Sequence, residues 1–149
     1  MTRDELDGAD WVIPGARYKT KRDHLIPLSA KAQALLGTMP RIGPAAFVFT
    51  TTGTIPITSF GAMKTAFDEV SGVTDWRLHD LRRTARSLMS RAGVDADIAE
   101  RCLGHAIRGV RGVYDRYAYR DEKARAFEAL AALIERIVEQ PNVMSLRRG

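Results

Sequence analysis

The chain has a single cysteine, Cys102, in 149 residues. An internal disulfide is therefore excluded, and a reducing, cytoplasmic setting is the expectation. No apolar run is long enough to span a bilayer, so no membrane contact is expected. The opening "MTRDELDGAD" carries no apolar stretch of the signal-peptide kind. Internal repeats and low-complexity tracts are absent. There is no glycine-rich nucleotide loop and no H-E-x-x-H or C-x-x-C pattern, so neither a cofactor nor a metal is expected. Acidic residues are the minority: 18 Asp and Glu stand against 23 Lys and Arg, a net charge of +5. With a pI near 9.7, that balance suits a polyanion partner without proving one.

What remains is an ordinary globular composition, 45% hydrophobic and 28% charged, with enough chain to bury one core. Residues 1–149 read as one domain with a loose tail over 141–149. The first third reads as β. "WVIPGARYKTKRDHLIPL" has short apolar strands at Trp11–Ile13 and His24–Ile26, joined by a basic connection, a hairpin with a long loop. Ser29 caps a helix whose Ala32, Leu35 and Leu36 share a face. "GTMPRIGP" and "TTTGTIP" are loops around "AFVF", a strand or extended run. The rest is helical. Phe60, Met63, Phe67 and Val70 form one apolar stripe. Leu81, Ala85, Leu88, Met89 and Ala92 form another, ended by Gly93. Asp95 caps a helix that buries Ile98, Cys102 and Leu103 and stops at Gly104. Val110, Val113 and Tyr117 suggest a short helix, and "EKARAFEALAALIERIVEQ" a long amphipathic one before Pro141. The fold class expected is α+β, mainly α, with a small antiparallel sheet near the amino terminus.

The stretch "WRLHDLRRT" crowds Arg77, Arg82 and Arg83 around His79 and Asp80 at a helix entrance. The amides of a first helical turn have no partners within the helix, and the dipole is positive there. His79 and Arg82 lie on one side of that turn. Such a convergence suits a phosphate oxygen. The plainer reading is that Asp80 caps the helix and the arginines are solvated, and for H-x-x-R alone it is the better one. "CLGHAIRGVRGVYDRY" shifts the balance. His105 sits at a bend after Gly104, and Tyr114 follows it by nine residues. Alone, His105 reads as a capping histidine and Tyr114 as a half-buried aromatic. In that order after H-x-x-R, they form a specific pattern. Trp11, Trp76 and Tyr117 read as packing, and Tyr119 as surface or interface.

On these motifs, with "WVIPGARYKTKRDHLIPLS" and "FVFTTTG", nearly the whole chain resembles the tyrosine recombinase, or phage integrase, family, in its prophage and genomic-island form. The resemblance implies the helical catalytic domain of that family and cleavage of double-stranded DNA through a 3′-phosphotyrosyl link, for recombination or integration without metal or ATP. It implies Tyr114 as nucleophile and His79, Arg82 and His105 as ligands of the phosphate. It makes Lys19 the general acid, with Lys21 a second candidate, and Lys21, Arg22 and Arg83 DNA contacts. The chemistry is sound: fixed cations stabilise the charge that builds on phosphorane oxygens. A tyrosine of pKa about 10 needs such help at neutral pH, and a lysine beside other cations can protonate the leaving oxygen. One family arginine, which precedes the first strand, has no match here: "DEL" aligns with the end of its segment. The expectation is therefore a carboxy-terminal part of the catalytic domain, without the amino-terminal core-binding domain, and with doubtful activity of its own. The alternatives are a non-catalytic DNA-binding remnant, or a module that docks on full-length integrase subunits or on further copies of itself.

Overall fold

A computed structural model of the chain describes residues 1–43, 46–105 and 118–139. The amino-terminal sheet has three antiparallel strands in sequence order: β1 (Leu6–Asp7), β2 (Asp10–Ile13) and β3 (His24–Pro27). The hairpin of β2 and β3 is the one expected, with Trp11 opposite Ile26 and Ile13 opposite His24. β1 adds to it. Two residues are too short to show a period, and this strand pairs with β2 because the chain turns back tightly at Gly8–Ala9, with Gly8 at φ +56°, just after a 3₁₀ turn at Arg3–Glu5. The Glu5 carboxylate holds that turn, accepting from the Thr2 amide at 3.0 Å and from the Trp11 indole at 3.1 Å. "AFVF" forms no named strand: one isolated bridge is followed by a bend at Val48 and Phe49. Phe47 bridges Thr2, and Val48 is buried with its amide donating to the Met1 carbonyl at 3.2 Å.

Ser29 caps α1 (Ala30–Thr38), accepting a hydrogen bond from the Ala32 amide at 3.2 Å. Helices α2 (Phe60–Ser71), α3 (Leu78–Arg91), α4 (Ala96–Cys102) and α5 (Arg120–Glu139) follow. The molecule is mainly helical with a small antiparallel sheet, as its sequence leads one to expect. Val110, Val113 and Tyr117 and the tail over 141–149 fall outside the described residues.

Two of the apolar stripes behave differently. That of α3 meets α4 and α5 around Met89, Ala99, Cys102 and Ala126, with Ile98, Phe127 and Leu130 packed against them. Asp95 starts α4 as expected, accepting from the Asp97 and Ile98 amides at 2.9 and 3.2 Å. Burial pushes the Cys102 thiol up to about 11, so it is an inert core residue. The stripe of α2 forms a helix but stays open. Phe60, Met63 and Phe67 are each at least half exposed and Val70 is 90% exposed. Leu81, expected on the buried face of α3, is also exposed. Periodicity says which face of a helix is apolar and does not supply the surface that covers it. Trp76 is the aromatic that anchors α2: it meets Phe67 edge to face at 5.7 Å between centroids and donates to Asp68 at 2.8 Å.

Helix α5 ties the helices to the sheet. Arg120 pairs with Asp10 of β2 at 2.8 Å. Lys123, only 6% exposed, donates to the Leu25 carbonyl of β3 at 2.7 Å. Burial pushes its ammonium below the ordinary lysine value. Glu128 accepts from the Ala30 amide at 2.7 Å, so α5 also caps the start of α1.

Candidate functional site

The bend at "LGH" is a helix-terminating motif of defined geometry. The His105 amide donates to the Glu100 carbonyl and the Gly104 amide to the Arg101 carbonyl, both at 3.0 Å. These are the two hydrogen bonds of a Schellman turn closing α4. Gly104 adopts φ +64°, and a Cβ there would lie 1.9 Å from the Tyr18 hydroxyl. Glycine is required at this position both by its left-handed backbone and by the ring packed on it. The turn leaves His105 exposed at the rim, its Nδ1 against the Glu100 carboxylate.

The entrance of α3 answers the question its charges raise in part on each side. Asp80 accepts from the Arg77 amide at 2.9 Å and pairs with Arg83 at 3.4 Å. The hydrogen bond from the Arg77 amide, then the Arg83 charge, hold the Asp80 carboxyl below the usual carboxylate range. Asp80 and the exposed Arg83 thus follow the plain reading. Arg82 does not. It is half-buried and its guanidinium donates to the carbonyl of Leu103, the capping residue of α4. A cation at a helix carboxy terminus satisfies one of its orphan carbonyls. It also fastens the first turn of α3 to the LGH turn. His79 is exposed on that same first turn.

The hairpin connection arrives from the other side. Tyr18 stacks flat on His24, with centroids 4.5 Å apart and planes 1° from parallel. Its hydroxyl donates to the Gly104 carbonyl at 3.4 Å. Sequence reasoning placed Tyr18 in the hairpin but missed this role, because no local pattern marks a contact across 86 residues. Gly15 lets the connection fold tightly: a Cβ there would meet the Lys21 carbonyl oxygen at 2.8 Å. Lys19, Lys21 and Arg22 are exposed on the connection. Burial, then the charges of Lys123 and Lys19, push the His24 imidazole below its ordinary value. A cleft of about 240 Å³ lies between the connection and the LGH turn, lined by Arg22, His24, Arg101, His105 and Lys123 among others.

Three segments therefore meet: the basic connection, the entrance of α3 and the end of α4. Arg82, His105 and the segment bearing Lys19 belong to this junction. His79 shares the turn of Arg82, while Arg83 is turned to Asp80. Tyr114 lies outside the described residues. Among the described residues no group of three or more His, Cys, Asp or Glu side chains is placed to hold a metal ion. No helix among them is long and apolar enough to cross a membrane.

The sequence itself is similar to that of known proteins. The profile of the Phage integrase family matches residues 3–120, and the chain belongs to the phage integrase family. It is 33% identical over 141 residues to Prophage integrase IntA of Escherichia coli (strain K12), covering 89% of this chain and 33% of that protein. It is 29% identical over 135 residues to Prophage integrase IntZ of the same organism, covering 89% of this chain and 34% of that protein. The chain thus spans about a third of the length of these curated relatives. No solved structure matches it.

Proposed function

We propose that this chain is the DNA-cleaving part of a site-specific recombinase. In this reading Tyr114 attacks a phosphodiester of double-stranded DNA and keeps the 3′-phosphate, while the 5′-oxygen leaves with a proton from Lys19. The phosphotyrosyl link is then open to attack by the 5′-hydroxyl of another strand, so no metal or nucleotide is needed for rejoining. Arg82, His79 and His105 hold the phosphate oxygens, and Lys21, Arg22 and Arg83 meet neighbouring phosphates. The observation that carries the reading is the bond from Arg82 to the Leu103 carbonyl. It joins the two segments that bear the phosphate ligands, and a guanidinium has donors to spare for a phosphate after binding one carbonyl.

Arg82 is the single arginine in the set of phosphate ligands assigned to this chain. Removing one preorganised donor from such a site costs roughly 10²–10³-fold in rate. The chain on its own is therefore expected to trap only a small amount of covalent complex. The test is a nicked duplex that loses its short fragment on cleavage, followed by a denaturing gel. A faint shifted band that vanishes in Tyr114→Phe is the expected result. A band that survives Tyr114→Phe would remove Tyr114 from its role. DNA binding with no band at any time would favour the non-catalytic DNA-binding reading.

A further inference from the structure

We propose that Glu100 is a positioning residue for His105: its carboxylate engages Nδ1 and so turns Nε2 toward the cleft as the nitrogen that meets a phosphate oxygen. The proposal rests on the reading of His105 as a phosphate ligand and adds to it the group that orients the ring.

Three observations carry it. The first is the turn itself. Glu100 and His105 are joined twice, by the backbone bond of the Schellman turn at 3.0 Å and by the contact of carboxylate and imidazole. The backbone bond fixes where the His105 Cα stands, and the side-chain bond fixes which way the ring faces. The second is that Glu100 is itself held. Arg86 of α3 donates through Nε to the other carboxylate oxygen at 2.7 Å, and Arg86 is steadied in turn by Ser90 at 2.5 Å. The third is charge. Hydrogen bonds from Arg86 and then from His105 keep the Glu100 carboxyl below its ordinary range, so it is an anion at neutral pH. Among the described residues, Arg86 and His105 are the charged and titratable groups that meet it, one from α3 and one from the turn.

A carboxylate accepts and cannot donate, so it selects the ring form with a proton on Nδ1. Nε2 is then the nitrogen on the far side of the ring. To donate to a phosphate oxygen there, Nε2 must carry a proton as well, and a ring with both nitrogens as donors then bridges the carboxylate and the phosphate. Without the carboxylate the two nitrogens are no longer distinguished, and the ring can present either.

The experiment uses the whole chain with ¹⁵N-labelled histidine and long-range proton–nitrogen spectra at mildly alkaline pH. With three histidines in the chain, His105 is assigned from the signal lost in His105→Asn. The expected wild-type ring carries its proton on Nδ1, and Glu100→Ala shifts it to the Nε2 form or to a mixture. A wild-type ring protonated on Nε2, or the same form in wild type and Glu100→Ala, overturns the proposal. The wild-type spectrum can do so alone, so the outcome does not depend on how well the variant folds. Adding a short duplex reads the phosphate contact separately, because Nε2 should then move. An Nδ1-protonated ring whose Nε2 ignores DNA would leave the Glu100 contact standing and sink the phosphate-ligand reading. Where covalent complex is measurable, Glu100→Ala should lower its yield about 10–100-fold, by analogy with the loss of a partner that orients a metal-bound histidine.

Discussion

Glu5 is a buried carboxylate at 8% exposure with Thr2, Trp11 and Arg17 around it. Burial on its own would raise its pKa. The hydrogen bonds from Thr2 and Trp11 and the Arg17 charge outweigh that and bring it from 4.5 to about 2. The unfolded chain therefore takes up a proton near pH 4.5 and the folded chain only near 2. The stabilisation is complete above the upper value and is lost as pH falls toward the lower one. Glu5→Gln should cost about 1–3 kcal/mol at neutral pH and flatten the loss of stability across that acid window, as read by urea unfolding at a series of pH values. An unchanged acid slope in the variant would place the sensitivity on another group. At this scale the sequence was legible where a signal is local: Ser29 and Asp95 are caps because their hydroxyl or carboxylate meets amides two or three residues on. It was silent on the contacts of Arg82 and Tyr18, whose partners Leu103 and Gly104 are 21 and 86 residues away.

Elements with the same pattern differ in what they bury. Met89 of α3 is 1% exposed between α4 and α5, whereas Val70 of α2 is 90% exposed. Met89→Ala should destabilise the fold by about 2–5 kcal/mol, as truncation of a closed core site does. Val70→Lys should change stability by about 0.5 kcal/mol or less. Thermal or chemical unfolding of both variants checks the contrast, and a large loss in Val70→Lys would show that the α2 face is covered in solution. Helix existence was legible in all five cases from spacing, caps and terminal glycines. Burial was not, because a stripe repeating every three or four residues looks the same whether or not another surface lies against it. β1 was illegible for the opposite reason: at two residues it has no pattern of its own, and it is defined by its pairing with β2 across the Gly8–Ala9 turn.

The molecule as a whole carries an excess of +5, and on the basic connection Lys19, Lys21 and Arg22 stand exposed. Duplex binding should weaken steeply with salt and show little preference for sequence, since phosphate contacts carry no base information. Arg22→Ala should reduce the slope of log affinity against log salt by about one. Fluorescence anisotropy with one duplex at several salt concentrations measures both, and an affinity indifferent to salt would argue against a phosphate-binding surface. The ties that shape this surface also set an order of assembly. Tyr18 reaches Gly104 across 86 residues, Lys123 reaches Leu25 across 98, and Arg120 reaches Asp10 across 110. Contacts of such sequence separation form late. Because β3 precedes α5 in the chain, its Leu25 carbonyl lacks the Lys123 donor until α5 has been synthesised. The last described helix in the chain is thus the one that closes the sheet, and nascent chains halted before Arg120 should be the ones that depend most on chaperones.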